Sequence, residues 1–192
     1  ITARIPAGTY TLYDGAMGTG GMLTVAQDTL TRIARGKRID THLYGQEINA
    51  ETYAIAKADL ILTGQGRAAD NIKGGPEYST LSNDAFGHMT FDFMLSNPPY
   101  GKSWKTDLER MGGKKGLSDS RFIVEHDGEP EFSLVTRTSD GQMLFMANLL
   151  AKMKNDTPLG SRIAEIHNGS SLFTGDAGQG ESNARRYLIE ND

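Results

Sequence analysis

Four glycines fall within Asp14-Gly15-Ala16-Met17-Gly18-Thr19-Gly20-Gly21, and the hydrophobic period changes across them. Before them, Thr9–Tyr13 reads as a short strand opened by Pro6-Ala7-Gly8. After them, Met22, Val25, Ala26, Leu30 and Ile33 recur at helical spacing and predict one apolar face. Gly36 is the expected stop, and Lys37-Arg38 sit where cations favour a helix C-terminus. A strand that passes through a tight glycine turn into a helix opens an α/β unit. Such a turn also lets backbone approach a ligand beyond the carboxyl end of the strand.

The alternation continues along the chain. His42–Glu47 predicts a second strand. Asn49 is placed to cap a second helix, with Thr52 at the matching third position. Tyr53, Ile55, Ala56, Leu60 and Ile61 form its apolar stripe, ending near Gly64. Asn71-Ile72-Lys73 predicts a third strand, Phe91–Leu95 a fourth and Arg162–Ile166 a fifth. Further helices are expected over Asp140–Met153 and from about Ser182 to Glu190. Gly101 to about Thr138 holds paired glycines and charge runs, and is expected to be a long irregular insertion. The predicted class is α/β, with a mainly parallel sheet flanked by helices. The 192 residues suffice for one domain.

Composition excludes several chemistries. There is no cysteine, hence no disulfide, thiolate metal site or cysteine nucleophile. His42, His88, His126 and His167 are scattered without metal-ligand spacing, so no metal is expected. No apolar stretch has the length of a bilayer span, and Ile1–Thr11 is too polar for a signal peptide, so a cytoplasmic location is expected. The net charge of −4 is wrong for a free-standing basic DNA-binding module. The charge is uneven, however. Lys102, Lys105, Arg110, Lys114, Lys115 and Arg121 outweigh three acids, so residues 101–121 carry +3 on an otherwise acidic chain.

Two carboxylates fall at strand ends. Asp14 closes the first strand, where an acid is unfavourable beside a pyrophosphate and suits a cofactor carrying positive charge. Glu47 closes the second, where a carboxylate can accept from two ribose hydroxyls. A tight strand–helix turn with a capping acid accounts for the same residues, and a nicotinamide dinucleotide is a rival ligand. No Gly-Lys-Ser/Thr follows the glycines, which excludes a nucleoside-triphosphate loop.

Asn97-Pro98-Pro99-Tyr100 follows the fourth predicted strand. The prolines remove two backbone donors and restrict the residues before them, giving a stiff extended ledge. From it the Asn97 side chain and the Pro98 carbonyl can accept from one planar amine while the Tyr100 ring stacks on its face. Two acceptors on an amine whose lone pair is delocalised favour a more nucleophilic nitrogen by geometry and electrostatics. An ordinary strand-end turn is the alternative.

The chain resembles the modification subunit of type I restriction–modification systems, a family of DNA adenine-N6 methyltransferases. The resemblance rests on Tyr13 to Leu23, Tyr44 to Asn49 with Tyr53-Ala54, Ser79 to Asp84, and Phe91 to Gly101. Ser139 to Phe145, Asn168 to Phe173 and Arg185 to Asp192 complete it. It implies a Rossmann-like fold that binds S-adenosyl-L-methionine, here as a truncated catalytic domain, since family members carry a helical region before this core and more strands after it. It implies that Asp14, Gly18, Thr19 and Gly20 hold the methionine part and Glu47 the ribose, with adenine contacts between Thr80 and Asp84. Asn97, Pro98, Pro99 and Tyr100 would clamp a flipped-out adenine. The implied partners are double-stranded DNA, a specificity subunit, a second modification subunit and, in systems that cleave, a restriction subunit; no membrane is implied. The family more often has Pro at Gly15, Cys at Met17 and Phe at Tyr100. A methyltransferase acting on RNA or a protein glutamine, and a non-catalytic scaffold, remain as alternatives.

Overall fold

A computed structural model describes residues 5–191. The chain forms two compact units: residues up to Ser96 with Lys152–Ala164, and Asn97–Ala151 with the residues from Glu165 on. In chain order the first unit holds β1 (Gly8–Asp14), α1 (Gly21–Ile33), β2 (Ile39–Glu47), α2 (Ala50–Leu62), α3 (Gly66–Asn71), β3 (Ile72–Gly74) and β4 (Phe93–Ser96). The excursion that follows carries α4 (Lys105–Arg110), α5 (Gly113–Gly116), β5 (Ile123–His126), β6 (Glu129–Ser133) and α6 (Gln142–Leu150). The strand β7 (Arg162–Glu165) then joins the sheet, and a single 3₁₀ turn (Gly169–Leu172) and α7 (Gly180–Glu190) complete the chain.

The sheet order is β3-β2-β1-β4-β7. β1 runs parallel to both β2 and β4, and β2 runs parallel to β3. Parallel register brings the carboxyl ends of β1, β2 and β4 to one edge, where ligands of such sheets bind. Central strands enclosed on both faces explain Leu12 on β1 and Leu43 on β2, both nearly fully buried, and Ile72 on the edge strand β3 is buried as well. Beside them Tyr13 stacks on Phe91 with ring centroids 4.6 Å apart, and Phe86 meets Tyr13 edge-on. The Asn49 side chain accepts from the Thr52 N–H as expected and caps α2.

Helical periodicity predicted the helices better than their facing. On α1 the residues turned to the sheet are Leu23 and Leu30, while Val25 is 64% and Ile33 50% exposed. Those two, with Met22, Ala26, Phe93 and Ile163, line an open apolar groove of about 570 Å³ within the first unit. On α2, Ala56 and Leu60 are buried, whereas Ile55 and Ile61 face solvent. A stripe says that a helix has an apolar side; which residues on it are covered depends on what else packs there.

The stretch from Gly101 to Thr138 is more regular than its glycines suggest. Trp104 is 3% exposed and its indole N–H donates to the Arg137 carbonyl at 2.8 Å, which anchors α4. β5 and β6 form an antiparallel hairpin whose loop is Asp127-Gly128, both at positive φ. An Asp-Gly pair is the residue choice a two-residue turn of that geometry demands, so the signal lay inside the acidic run. Among the described residues, no helix is long and apolar enough to cross a membrane.

Candidate functional site

Five of the expected cofactor residues, Asp14, Gly18, Gly20, Glu47 and Thr80, meet at the turn after β1. Asp14 is 1% exposed, and its Oδ1 accepts from the Ala16 N–H at 2.9 Å and from the Ser96 hydroxyl at 3.0 Å. That second bond ties the end of β1 to the end of β4. Glu47 reaches the same turn from β2: Oε2 accepts from the Gly18 N–H at 2.9 Å and Oε1 from the Asn49 N–H at 2.8 Å. Thr80 is buried and its hydroxyl donates to the Gly15 carbonyl. Gly18 and Gly20 have φ of 56° and 83°, a region side chains disfavour. Thr19 between them is exposed. α1 begins with Gly20 as its N-cap and no side-chain cap, so its first N–H groups are offered outward.

The residue that organises the next loop was missed in the sequence. Gln46 is fully buried, donates to the carbonyls of Tyr78 and Asn83, and accepts from the Ala85 N–H. It ties residues 78–85 to the end of β2. Asp84 lies in that loop with its carboxylate 2.5 Å from the Lys152 ammonium, both nearly enclosed. Lys152 also donates to the Phe86 carbonyl. A buried glutamine carries no local sequence signal; only its position one residue before Glu47 singles it out. Gly45, one residue earlier, is explained by contact: a Cβ there would collide with the Met17 sulfur.

Asp92, just before β4, shows how the unit handles a buried acid. Burial pushes its carboxyl up, but the Lys154 ammonium at 2.7 Å and the Thr11 N–H and hydroxyl outweigh that and hold it below the usual carboxylate range.

The tetrad lies in the second unit, directly after Ser96 in the chain. Asn97 and Pro99 are exposed and Pro98 is buried. The Tyr100 hydroxyl is shared between Asn97 Oδ1 and the Ile166 carbonyl, the latter at 2.8 Å. Asn97 therefore has its amide oxygen turned toward Tyr100. The neighbouring loop is held by Gln142, whose Oε1 accepts from the Asn168 N–H at 2.9 Å. Nearby Glu165 has its carboxylate enclosed, 3.2 Å from His167 Nε2, yet neither carboxylate oxygen has a hydrogen bond of proper geometry. Burial raises its carboxyl above the usual range, and His167 offsets only part of that.

The structure thus brings Asp14, Gly18, Gly20, Glu47 and Thr80 together, places Asp84 in the adjoining loop, and puts Asn97, Pro98, Pro99 and Tyr100 in the other unit. Among the described residues no group of three or more His, Asp or Glu could hold a metal.

Comparison with known proteins gives a consistent picture. Residues 4–192 match the family model described as N-6 DNA Methylase. The type I restriction enzyme MjaIX methylase subunit of Methanocaldococcus jannaschii is 27% identical over 184 residues, covering 94% of this chain and 28% of that protein. The MpnII methylase subunit of Mycoplasma pneumoniae is 30% identical over 118 residues, 58% of this chain and 20% of that one. The crystal structure of a type I restriction–modification methyltransferase subunit from Streptococcus thermophilus superposes with a TM-score of 0.62 at 27% identity, covering 94% of this chain and 33% of that one. The EcoKI M protein has the same fold, with a TM-score of 0.55 at 19% identity, and the chain covers 33% of it. The chain therefore spans about a third or less of each of these proteins.

Proposed function

Since the chain belongs to the N-6 DNA methylase family, we propose that it carries the S-adenosyl-L-methionine site and the target-amine clamp of a type I DNA adenine-N6 methyltransferase. One observation carries most weight. The Asp14–Ser96 hydrogen bond fastens the strand end that bears the cofactor turn to the strand end that runs into Asn97. Ser96, the residue Asp14 holds, directly precedes Asn97 in the chain.

The donors around the turn suit this cofactor. Each Glu47 oxygen receives one backbone N–H and keeps lone pairs for the ribose hydroxyls. Asp14 is a buried carboxylate matched to the positive amino group of the methionine part. Gly18, Thr19 and Gly20 let backbone approach, and the uncapped start of α1 suits the methionine carboxylate. The loop from Thr80 to Asp84, held by Gln46, would border the adenine ring. When bound, the cofactor supplies an electrophilic methyl group on its sulfonium.

The chain's own residues do the rest. Asn97 Oδ1 and the Pro98 carbonyl accept the hydrogens of the adenine amine and orient its lone pair. Pro98 and Pro99 keep that ledge stiff. The Tyr100 ring replaces the stacking that the flipped base loses. In the assembled system duplex DNA, a specificity subunit, a second modification subunit and a restriction subunit would be the partners.

Calorimetric titration of S-adenosyl-L-methionine into the chain and into Asp14→Asn tests the reading. Asn keeps a carbonyl acceptor for Ala16 and Ser96 but removes the charge. Saturable binding, weakened about tenfold or more (~1.4 kcal/mol) by the substitution, is expected. Folded wild-type protein that takes up no cofactor, or a variant that binds equally well, would refute it.

A further inference from the structure

The positive segment after the tetrad plays no part in the chemistry above, and its side chains sort into two groups. Some are neutralised within the fold. The Arg121 guanidinium grips Asp119, with the shortest contact at 2.6 Å, and its side chain is only 11% exposed. Lys105 lies 3.8 Å from Glu109 on the surface of α4. Asp107 and Arg110 are also engaged in contacts. Lys102, Lys114 and Lys115 are different: all three are exposed, and among the described residues none has an acidic partner. The excess of +3 over residues 101–121 equals these three unpaired ammonium groups.

They stand on fixed backbone. Trp104 and Leu108 are buried, and Phe122 is fully enclosed. The Trp104 N–H donates to the Thr138 carbonyl at 3.0 Å. Side-chain entropy is the main cost left if these lysines bind, because the segment beneath them is already ordered. Elsewhere the chain is acidic by seven charges, −2 over residues 1–100 and −5 over 122–192. A polyanion would be repelled by the net charge of the rest of the chain and attracted to this segment. Lys102 lies two residues beyond Tyr100 in the chain.

Building on the methyltransferase reading, we propose that Lys102, Lys114 and Lys115 form a phosphate-gripping platform that holds the duplex DNA backbone beside the adenine taken by the tetrad. Its role is positional. Ammonium groups on flexible stems meet phosphates as point charges and read no bases. The platform gives an otherwise acidic chain a local hold on a polyanionic substrate and reads no sequence itself.

The test is fluorescence anisotropy of a labelled 24-base-pair duplex across a salt series. It compares the chain, the triple variant Lys102→Gln/Lys114→Gln/Lys115→Gln, and a control of equal charge loss, Arg35→Gln/Arg38→Gln/Arg67→Gln, whose positions are exposed in the first unit. Each released phosphate contact contributes about −0.9 to the slope of log K against log salt. The lysine variant should flatten the slope by about 2.7 and bind at least about tenfold more weakly at low salt, while the control keeps the wild-type slope. Absence of DNA binding by the folded wild type, equal slopes in wild type and lysine variant, or an equal loss in the control would overturn the platform. So would preference for duplex RNA of the same length, which would assign the lysines to a different polymer. Cofactor titration on the same samples separates the two ideas: a lysine variant that still binds S-adenosyl-L-methionine has lost only its grip on DNA. A wild type that binds DNA through these lysines but takes up no cofactor retains the platform and loses the methyltransferase reading.

Discussion

Tyr100 occupies, with its own hydroxyl, the acceptor that the proposed reaction needs. Asn97 Oδ1 takes the Tyr100 O–H, which the Ile166 carbonyl also receives. An incoming amine has to displace that contact before Asn97 can accept from it. Phenylalanine would stack as well and leave Asn97 free. Tyr100→Phe should therefore lower the KM for adenine-containing DNA, with kcat changed less. The expected gain in kcat/KM is about fivefold, the worth of one neutral hydrogen bond of ~1 kcal/mol. Steady-state methylation kinetics on the assembled enzyme decide it, and an unchanged KM would show that the hydroxyl does not compete. A second residue-scale consequence concerns Glu165. Its folded carboxyl is raised above the ordinary 4.5 by burial. Its contribution to stability is therefore full below about pH 4.5 and is lost as pH rises through the raised folded value. Glu165→Gln removes a buried charge that lacks hydrogen bonds. It should stabilise the protein on the order of 1 kcal/mol at pH 7 and leave it nearly unchanged at pH 4. Thermal melts at the two pH values measure this; equal effects at both would contradict the sign. Asp92 acts in the opposite sense, since its lowered carboxyl stabilises above about pH 3.8 and loses that contribution as pH falls further.

At the scale of elements, α1 shows what periodicity can and cannot deliver. The spacing of Met22, Val25, Ala26, Leu30 and Ile33 located the helix. It named Leu30, which is buried, but not Leu23, and it did not reveal that Val25 and Ile33 would be exposed along an open groove. Val25→Lys with Ile33→Lys should change stability by no more than about 0.5 kcal/mol. Leu30→Ala, which empties a packed position, should cost about 2–5 kcal/mol. Urea unfolding of the two variants separates exposed from buried, and a large loss in the lysine pair would mean that the groove face is packed in solution. The turn after β1 was legible down to the residue because it depends on local chemistry: glycines where φ is positive, and acids where parallel strands end. Asp14 and Glu47 could be named without knowing what they touch. Gln46, the Asp84–Lys152 pair and the Asp14–Ser96 bond could not, because each partner lies tens of residues away and nothing local announces it. The β5–β6 hairpin is the reverse case. Its Asp127-Gly128 turn was a local signal, hidden by the run of acids around it.

For the molecule as a whole, the class of fold was readable from alternating strands and helices, and the strand order was not. Order depends on crossovers, and the sheet places β1 between β2 and β4 and sends the chain away before β7 arrives. The chain divides into two compact units, the second built from the excursion and the C-terminal residues together. That arrangement sets the order in which the protein can be finished. β4 and β7 are neighbours in the sheet, yet all of Asn97–Ala151 is made between them. On the ribosome β4 stands for about several seconds as a bare edge, at typical elongation rates, before its partner emerges. The interval in which this sheet is open to the wrong strand is thus written into the path of the chain.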